Sequence, residues 1–323
     1  MEVIEIRHKR RFLQVCWALN NVCNYNCSYC TPINKNGQFN NLTIDTAKKF
    51  VDVIFEYYAE ELRHNIINFN FTGGEPTIWK YFVELCEYIK SYEEDDLLIP
   101  ITVNTNFSRP LKWWEKHVHL FDMVIASFQI EFANKDEFFK KTKIGLDTAL
   151  AIRLSMHKDR FWEVSEFGEK LVNTPGNYRV EWVPLFDELG INSEPFEYKD
   201  KKQKKFLNEH TTSVYKADFR FRKKPRWLMR TILIDENNDE HDFITNDLVL
   251  MKKNYFLNWE CNLGLDSLFV SYEGDVEGAT CRLRYIGNII YEDYEFPNSP
   301  MICTKEYCHC GADIMIPKRK VWG

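Results

Sequence analysis

Residues 12–30 read FLQVCWALNNVCNYNCSYC. Residues 12–19 form a strand candidate, and Cys23, Cys27 and Cys30 follow it at spacings of four and three, so three thiols gather in one short loop. A closed iron–sulfur centre takes four protein ligands; a three-cysteine loop implies an iron left open to a small molecule. Downstream, Ile67, Asn68, Phe69, Asn70 and Phe71 run into Thr72, Gly73, Gly74, Glu75 and Pro76. Apolar residues alternating with polar ones and ending on glycines read as a strand that delivers a tight loop. The two glycines let backbone approach a ligand closely, and Glu75 offers an acceptor.

Working outward, the strand candidates of the first two hundred residues are 12–19, 66–71, 99–105, 123–128, 149–156 and 178–185, with helix-like segments between them. This alternation predicts parallel βα units. Thr43 is the expected N-cap of a helix whose apolar stripe is Ala47, Phe50, Val51, Ile54, Phe55 and Tyr58. Less regular helices are expected over 79–92, after Pro110, around 137–142 and over 160–172. Parallel βα barrels carry their chemistry at the C-terminal ends of the strands, where both the cysteine loop and the glycine loop emerge. The other polar strand tips are Asn104 and Asn106, Ser127, Gln129 and Glu131, Ser155 and His157, and Glu181.

The chain has 323 residues, 45% hydrophobic and 28% charged, which describes an ordinary folded protein large enough for one big domain and a smaller one. A net charge of −6 argues against bulk nucleic-acid binding. No apolar run approaches the roughly 18 residues of a membrane span, and the charged N-terminus is unlike a signal, so a cytoplasmic location is expected. Ten cysteines in such a chain point to metal binding or catalysis before disulfides. Cys16 and Cys86 stand alone in apolar stretches and read as core residues.

Cys-x3-Cys-x2-Cys with Tyr29 before the last cysteine, followed by GGEP at 73–76, resembles the signature of the radical S-adenosylmethionine (SAM) enzymes. The resemblance implies a partial (β/α)6 TIM-like barrel, of the α/β class, in which Cys23, Cys27 and Cys30 hold a [4Fe-4S] cluster that binds SAM. It further implies reductive cleavage of SAM to a 5′-deoxyadenosyl radical that abstracts hydrogen from substrate. Tyr29 would lie beside the adenine, and Gly73, Gly74, Glu75 and Pro76 at the methionine end. Asn104, Asn106, Ser127 and Gln129 would meet the ribose and carboxylate, and the sixth strand would help enclose the adenine. The competing reading of the cysteine loop is a structural zinc site or reduced core cysteines.

Five cysteines remain: Cys261, Cys281, Cys303, Cys308 and Cys310. The segment between Cys261 and Cys281 turns at Glu273, Gly274 and Asp275, and a hairpin of that length brings its end cysteines together. The region resembles the Twitch domain, a shortened SPASM-like α+β module carrying one auxiliary iron–sulfur cluster, a [4Fe-4S] by analogy. Cys308-His309-Cys310 departs from the usual late Cys-x2-Cys pair, so the expected ligands are Cys261, Cys281, Cys308 and Cys310, with Cys303 as rival and a zinc knuckle as alternative. The expected division is a barrel over 1–198, a connecting segment with a charged β-hairpin around DENNDE over 199–259, and the auxiliary domain over 260–323.

The connecting segment concentrates Arg220, Arg222, Lys223, Lys224, Arg226 and Arg230. They are expected to form a solvated strand edge, with docking of an acidic flavodoxin or ferredoxin electron donor, or binding of an anionic substrate, as alternatives. With the first barrel strand near residue 12, no peptide-recognition domain is expected ahead of it, which favours a small metabolite, a sugar or nucleotide derivative, as substrate. Dehydrogenation, epimerisation or rearrangement would follow. A peptide maturase, and a non-enzymatic electron carrier or zinc scaffold, are the competing function classes.

Overall fold

A computed structural model describes residues 2–35, 37, 42–144, 148–185, 198, 200–214, 231–242, 248, 253–308 and 310–321. Its centre is a run of six parallel strands: β2 (Phe12–Asn20), β3 (Ile66–Gly73), β4 (Ile101–Thr105), β5 (Met123–Phe128), β6 (Ala149–Met156) and β7 (Tyr178–Pro184). The alternation along β2 and β3 sets which face meets the helices. Val15, Trp17 and Leu19 of β2 and Ile67, Phe69 and Phe71 of β3 join one hydrophobic core with the helices. Several of the intervening positions are polar and bond to one another on the opposite face of the sheet. Asn68 Nδ2 donates to Gln14 Oε1 at 2.9 Å, and Asn104 Nδ2 to Asn70 Oδ1 at 2.7 Å.

The helices cover the convex face. In α1 (Ile44–Ile54) the Thr43 side chain accepts from Thr46 N, and Ala47, Phe50, Val51 and Ile54 are buried; Phe55–Glu61 continues as a π-helical stretch. A short 3₁₀ turn, Pro76–Ile78, precedes α2 (Phe82–Lys90), so this helix starts later than its apolar pattern suggests: Trp79 is extended, with ψ 126°. Next come α3 (Leu111–His117), α4 (Lys135–Lys141), α5 (Phe161–Val172) and α6 (Lys201–Val214). Asn134 caps α4, accepting from Asp136 N and Glu137 N at 3.0 Å.

The barrel is partial, as expected. Among the described residues its sheet has two free edges, β7 on one side and, on the other, an extension built from the C-terminal third of the chain. There β11 (Ser267–Val270) runs parallel to β2 with Ser267 opposite Gln14, and β12 (Asp275–Glu277) and β13 (Tyr285–Asn288) follow antiparallel. A second, antiparallel sheet has the order β14 (Met301–Ile302), β10 (Trp259–Cys261), β15 (Lys318–Lys320), β1 (Val3–His8), β8 (Thr231–Asp235), β9 (Glu240–Asp242). The β8–β9 hairpin around DENNDE is present, and its edge is charged: Glu240 pairs with Arg7 and Lys9, each at 2.6 Å.

Strand pairing thus crosses the segment boundaries at 198 and 259. The first strand of the chain joins the C-terminal sheet, while β11–β13 complete the barrel sheet. No described helix is long and apolar enough to cross a membrane. The basic stretch at 220–230 lies outside the described residues.

Candidate active site

The cysteine loop starts where β2 ends and is fastened to every neighbouring strand tip. Asn20 Oδ1 accepts from Val22 N at 2.9 Å, and Cys30 N donates to Cys27 O at 3.2 Å. Lys35 Nζ donates to Cys27 O at 2.6 Å. From the β4 tip, Asn106 Nδ2 donates to Asn24 Oδ1 at 2.9 Å and approaches Cys23 Sγ at 3.6 Å. Beyond β5, Glu131 Oε2 accepts from Ser28 N at 2.7 Å, and the Tyr29 hydroxyl donates to Gln129 Oε1. His157, after β6, sets its Nε2 3.4 Å from Glu131 Oε1 and its ring edge-on to Tyr29. Glu131 and His157 are therefore spent on each other and on bracing the loop. Neither lines the cavity described next.

The glycine loop is pinned to the same strand end. Gly74 N donates to Asn20 O at 2.7 Å and Glu75 N to Val22 O at 2.8 Å. These contacts leave no room for a side chain: a Cβ on Gly73 would lie 2.2 Å from Asn20 O, and one on Gly74 2.1 Å from Val22 O. Gly73 also has φ +115°, a backbone region that glycine alone adopts readily. Glu75 is fully buried. Its carboxylate accepts from Thr77 N at 3.2 Å, Thr77 Oγ1 at 2.6 Å, Thr105 Oγ1 at 2.8 Å and Asn106 N at 2.6 Å. Burial raises the Glu75 carboxyl above its ordinary value, and these donors oppose that rise. The carboxylate thus ties the β3 and β4 tips together behind the cavity wall, where Pro76 also lies buried as the start of the 3₁₀ turn.

These tips enclose a cavity of about 480 Å³, within the usual range for a small-molecule site. Its lining includes Cys23, Cys27, Cys30, Tyr29, Gly73, Gly74, Asn104, Asn106, Ser127 and Gln129. Glu75 and Pro76 do not line it. Val183, Pro184 and Leu185 at the end of β7 give it an apolar side. Sequence reasoning missed Tyr25, which stacks on Phe132 at 5.3 Å, and Arg153. Arg153 Nε donates to Glu181 Oε2 at 3.0 Å, and Arg179 Nε stands 2.6 Å from the other oxygen. Of these three groups Arg153 alone lines the cavity, and it brings a guanidinium to that wall. The signal was available: in ALAIRLSM a single charge interrupts an apolar strand, in phase with the inward-facing Ser155.

Three thiols on one cavity form a soft donor set suited to an iron–sulfur cluster. Burial raises the Cys23 and Cys30 thiols and pushes Cys27 up to about 12, so burial disfavours their thiolates, and metal binding would have to displace the proton. Among the described residues no three His, Cys, Asp or Glu side chains are grouped tightly enough to grip a single metal ion.

The C-terminal cysteines also converge. Cys261 and Cys303 are buried in one small core with Leu263, Ala279 and Ile316, and Cys281 packs against it. Cys308 is half-buried, and its thiol feels Cys303 and Cys310. Burial pushes Cys261 and Cys281 up to about 12 and Cys308 to about 11. Cys310 is exposed, at the residue before α7 (Gly311–Met315), and His309 lies outside the described residues. Cys16 and Cys86 are buried as core-type residues.

Residues 17–151 match the family model of the Radical SAM superfamily. GTP 3′,8-cyclase of Photorhabdus laumondii subsp. laumondii is 26% identical over 159 residues, 46% of this chain and 45% of the cyclase, so the match spans under half of that relative's length. Among solved structures, native anSMEcpe with bound AdoMet aligns with a TM-score of 0.50 at 16% identity, covering 87% of this chain and 79% of that one. BtrN in complex with AdoMet and 2-DOIA aligns with a TM-score of 0.43 at 13% identity, covering 87% and 80%. The anSMEcpe likeness is one of fold.

Proposed function

We propose that this chain, whose residues 17–151 match the Radical SAM superfamily, is an enzyme that takes a hydrogen atom from a carbon of a small polar metabolite, using SAM and a four-iron cluster. The observation that carries this reading is the meeting of three thiols with the Gly73–Gly74 backbone on one cavity at the C-terminal ends of parallel strands. When bound, the cluster and SAM supply one-electron cleavage of SAM and, through it, abstraction of an unactivated hydrogen. Cys23, Cys27 and Cys30 would hold the cluster. Main-chain groups of Gly73 and Gly74 would hold the amino end of SAM, and Ser127 and Arg153 its carboxylate. Asn104 and Gln129 offer partners for ribose hydroxyls, and the apolar end of β7 would exclude water from the adenine. The protein's task is orientation and desolvation. The electron would come from a flavodoxin or ferredoxin.

Anaerobically reconstituted protein with dithionite and SAM is expected to release 5′-deoxyadenosine, with a rise when the right metabolite is added. A protein that takes up iron and releases none is an electron carrier, and this reading then fails.

The second cysteine group would hold an auxiliary cluster. Its most favourable ligand set is Cys261, Cys281, Cys303 and Cys308, because Cys303 shares a buried core with Cys261 while Cys310 is exposed. Cys303→Ala is therefore expected to lower bound iron about as much as Cys281→Ala, and Cys310→Ala to leave it near the wild-type value. Iron content and absorbance near the thiolate-to-iron charge-transfer band measure this. The reverse ranking would restore Cys310 as the fourth ligand.

A further inference from the structure

Lys318 lies in β15 directly opposite Cys261 of β10, with Ile6 of β1 opposite it on its other side. Opposed residues of antiparallel strands put their side chains on one face, Cβ atoms about 5 Å apart. The lysine is 3% exposed, which is unusual for an ammonium and costly unless its charge is met. Its Nζ donates to Asp313 O at 2.6 Å and Ile314 O at 3.3 Å, carbonyls of α7, and lies 4.6 Å from the centre of the Phe256 ring. Among the described residues no carboxylate comes within ion-pair distance of it. The nearby Asp313 carboxylate feels the lysine charge and accepts from Thr280 N at 3.1 Å, beside Cys281.

A buried cation held by dipoles and a ring face, with the Asp313 carboxylate in its field but not in an ion pair with it, thus stands beside a group of thiols that become anions when they bind metal. We propose that Lys318 is the built-in counter-ion of the second thiolate site and raises the reduction potential of the cluster held there, by offsetting the negative charge that an added electron brings. This rests on the reading of the C-terminal cysteines as an iron–sulfur site. The competing role is a plain cap on the carbonyls of α7, which predicts a loss of stability but no change in potential.

Potentiometric titration of the intact, anaerobically reconstituted two-cluster protein, followed by electron paramagnetic resonance, separates these roles. In Lys318→Met the reduced-to-oxidised ratio of the second cluster at fixed potential is expected to fall at least tenfold, a downward shift of about 59 mV for one electron. Lys318→Gln, which keeps an amide donor for α7 should the methionine variant fold poorly, is expected to fall likewise. Lys318→Arg, which keeps the charge, should stay within about threefold of wild type, and the first cluster should not move in any variant. An unchanged ratio in a neutral variant with full cluster occupancy overturns the counter-ion role and leaves the helix cap. A wild-type protein with zinc and no second cluster signal overturns the cluster reading itself, and this proposal with it, before any variant is compared.

Discussion

Replacing Cys23, Cys27 and Cys30 together with alanine is expected to remove one four-iron cluster and bring reductive SAM cleavage to background. The three thiols are the donors that the β2 loop offers to the cavity, and loss of all three leaves no protein ligand there. The fold should survive. None of the three belongs to the main hydrophobic core, and the loop stays tied through Ser28 N to Glu131, Lys35 Nζ to Cys27 O, and Asn106 to Asn24. Those ties use main-chain atoms or other side chains, so alanine leaves them intact. The thermal transition of the metal-free variant should accordingly lie within a few degrees of that of metal-free wild type. Iron analysis, circular dichroism and chromatographic detection of 5′-deoxyadenosine under dithionite give the three readouts. Release of 5′-deoxyadenosine at the wild-type rate would falsify the assignment of the cluster to this loop.

What the sequence reveals of this protein follows from how far each signal reaches along the chain. The six barrel strands are legible because each is a short apolar run whose far end turns polar, a local pattern; β5 and β6 run over 123–128 and 149–156, as expected. The α1 stripe is legible for the same reason. The pairing of β11 with β2 and of β1 with β15 is not, because it joins segments some 250 and 310 residues apart whose own patterns are short and mixed. Val3–His8 carries two charged residues and a histidine in six positions, and its strand character comes from β8 and β15 on either side.

The site divides in the same way. The cysteine spacing and the glycine pair declare themselves locally, and the structure brings both to one cavity with Asn104, Asn106, Ser127 and Gln129. The use of Glu75 is not local. Its position after two glycines suggests an acceptor facing a ligand, yet its carboxylate is taken up by Thr77, Thr105 and Asn106, the last two about 30 residues on. A buried carboxylate with four donors is a brace, and in that role it fixes the distance between the glycine loop and the β4 tip that lines the cavity.

That brace makes the glycine pair the most sensitive point in the site outside the cysteines. Gly74→Ala would set a Cβ 2.1 Å from Val22 O, against backbone and not against a side chain that could rotate aside. Relief requires the GGEP segment and the start of the cysteine loop to separate by about 1 Å. The bonds from Gly74 N to Asn20 O and from Glu75 N to Val22 O resist that movement on one side, and the Glu75 carboxylate resists it on the other. Overpacking of this kind costs roughly 1–3 kcal/mol of stability, which a domain of this size tolerates. The cost in function is larger, because a displacement of about 1 Å between groups that must hold one ligand together can lower a rate about 100-fold. Gly74→Ala is therefore expected to take up iron at the first site, to bind SAM at least tenfold more weakly, and to cleave it about 100-fold more slowly. Isothermal titration with SAM and a single-turnover cleavage assay measure the two effects. Gly73→Ala should be at least as severe, since it adds a strained positive φ to a similar clash with Asn20 O. Wild-type SAM affinity in either variant would mean that the glycines serve chain packing alone and that SAM is held elsewhere in the cavity.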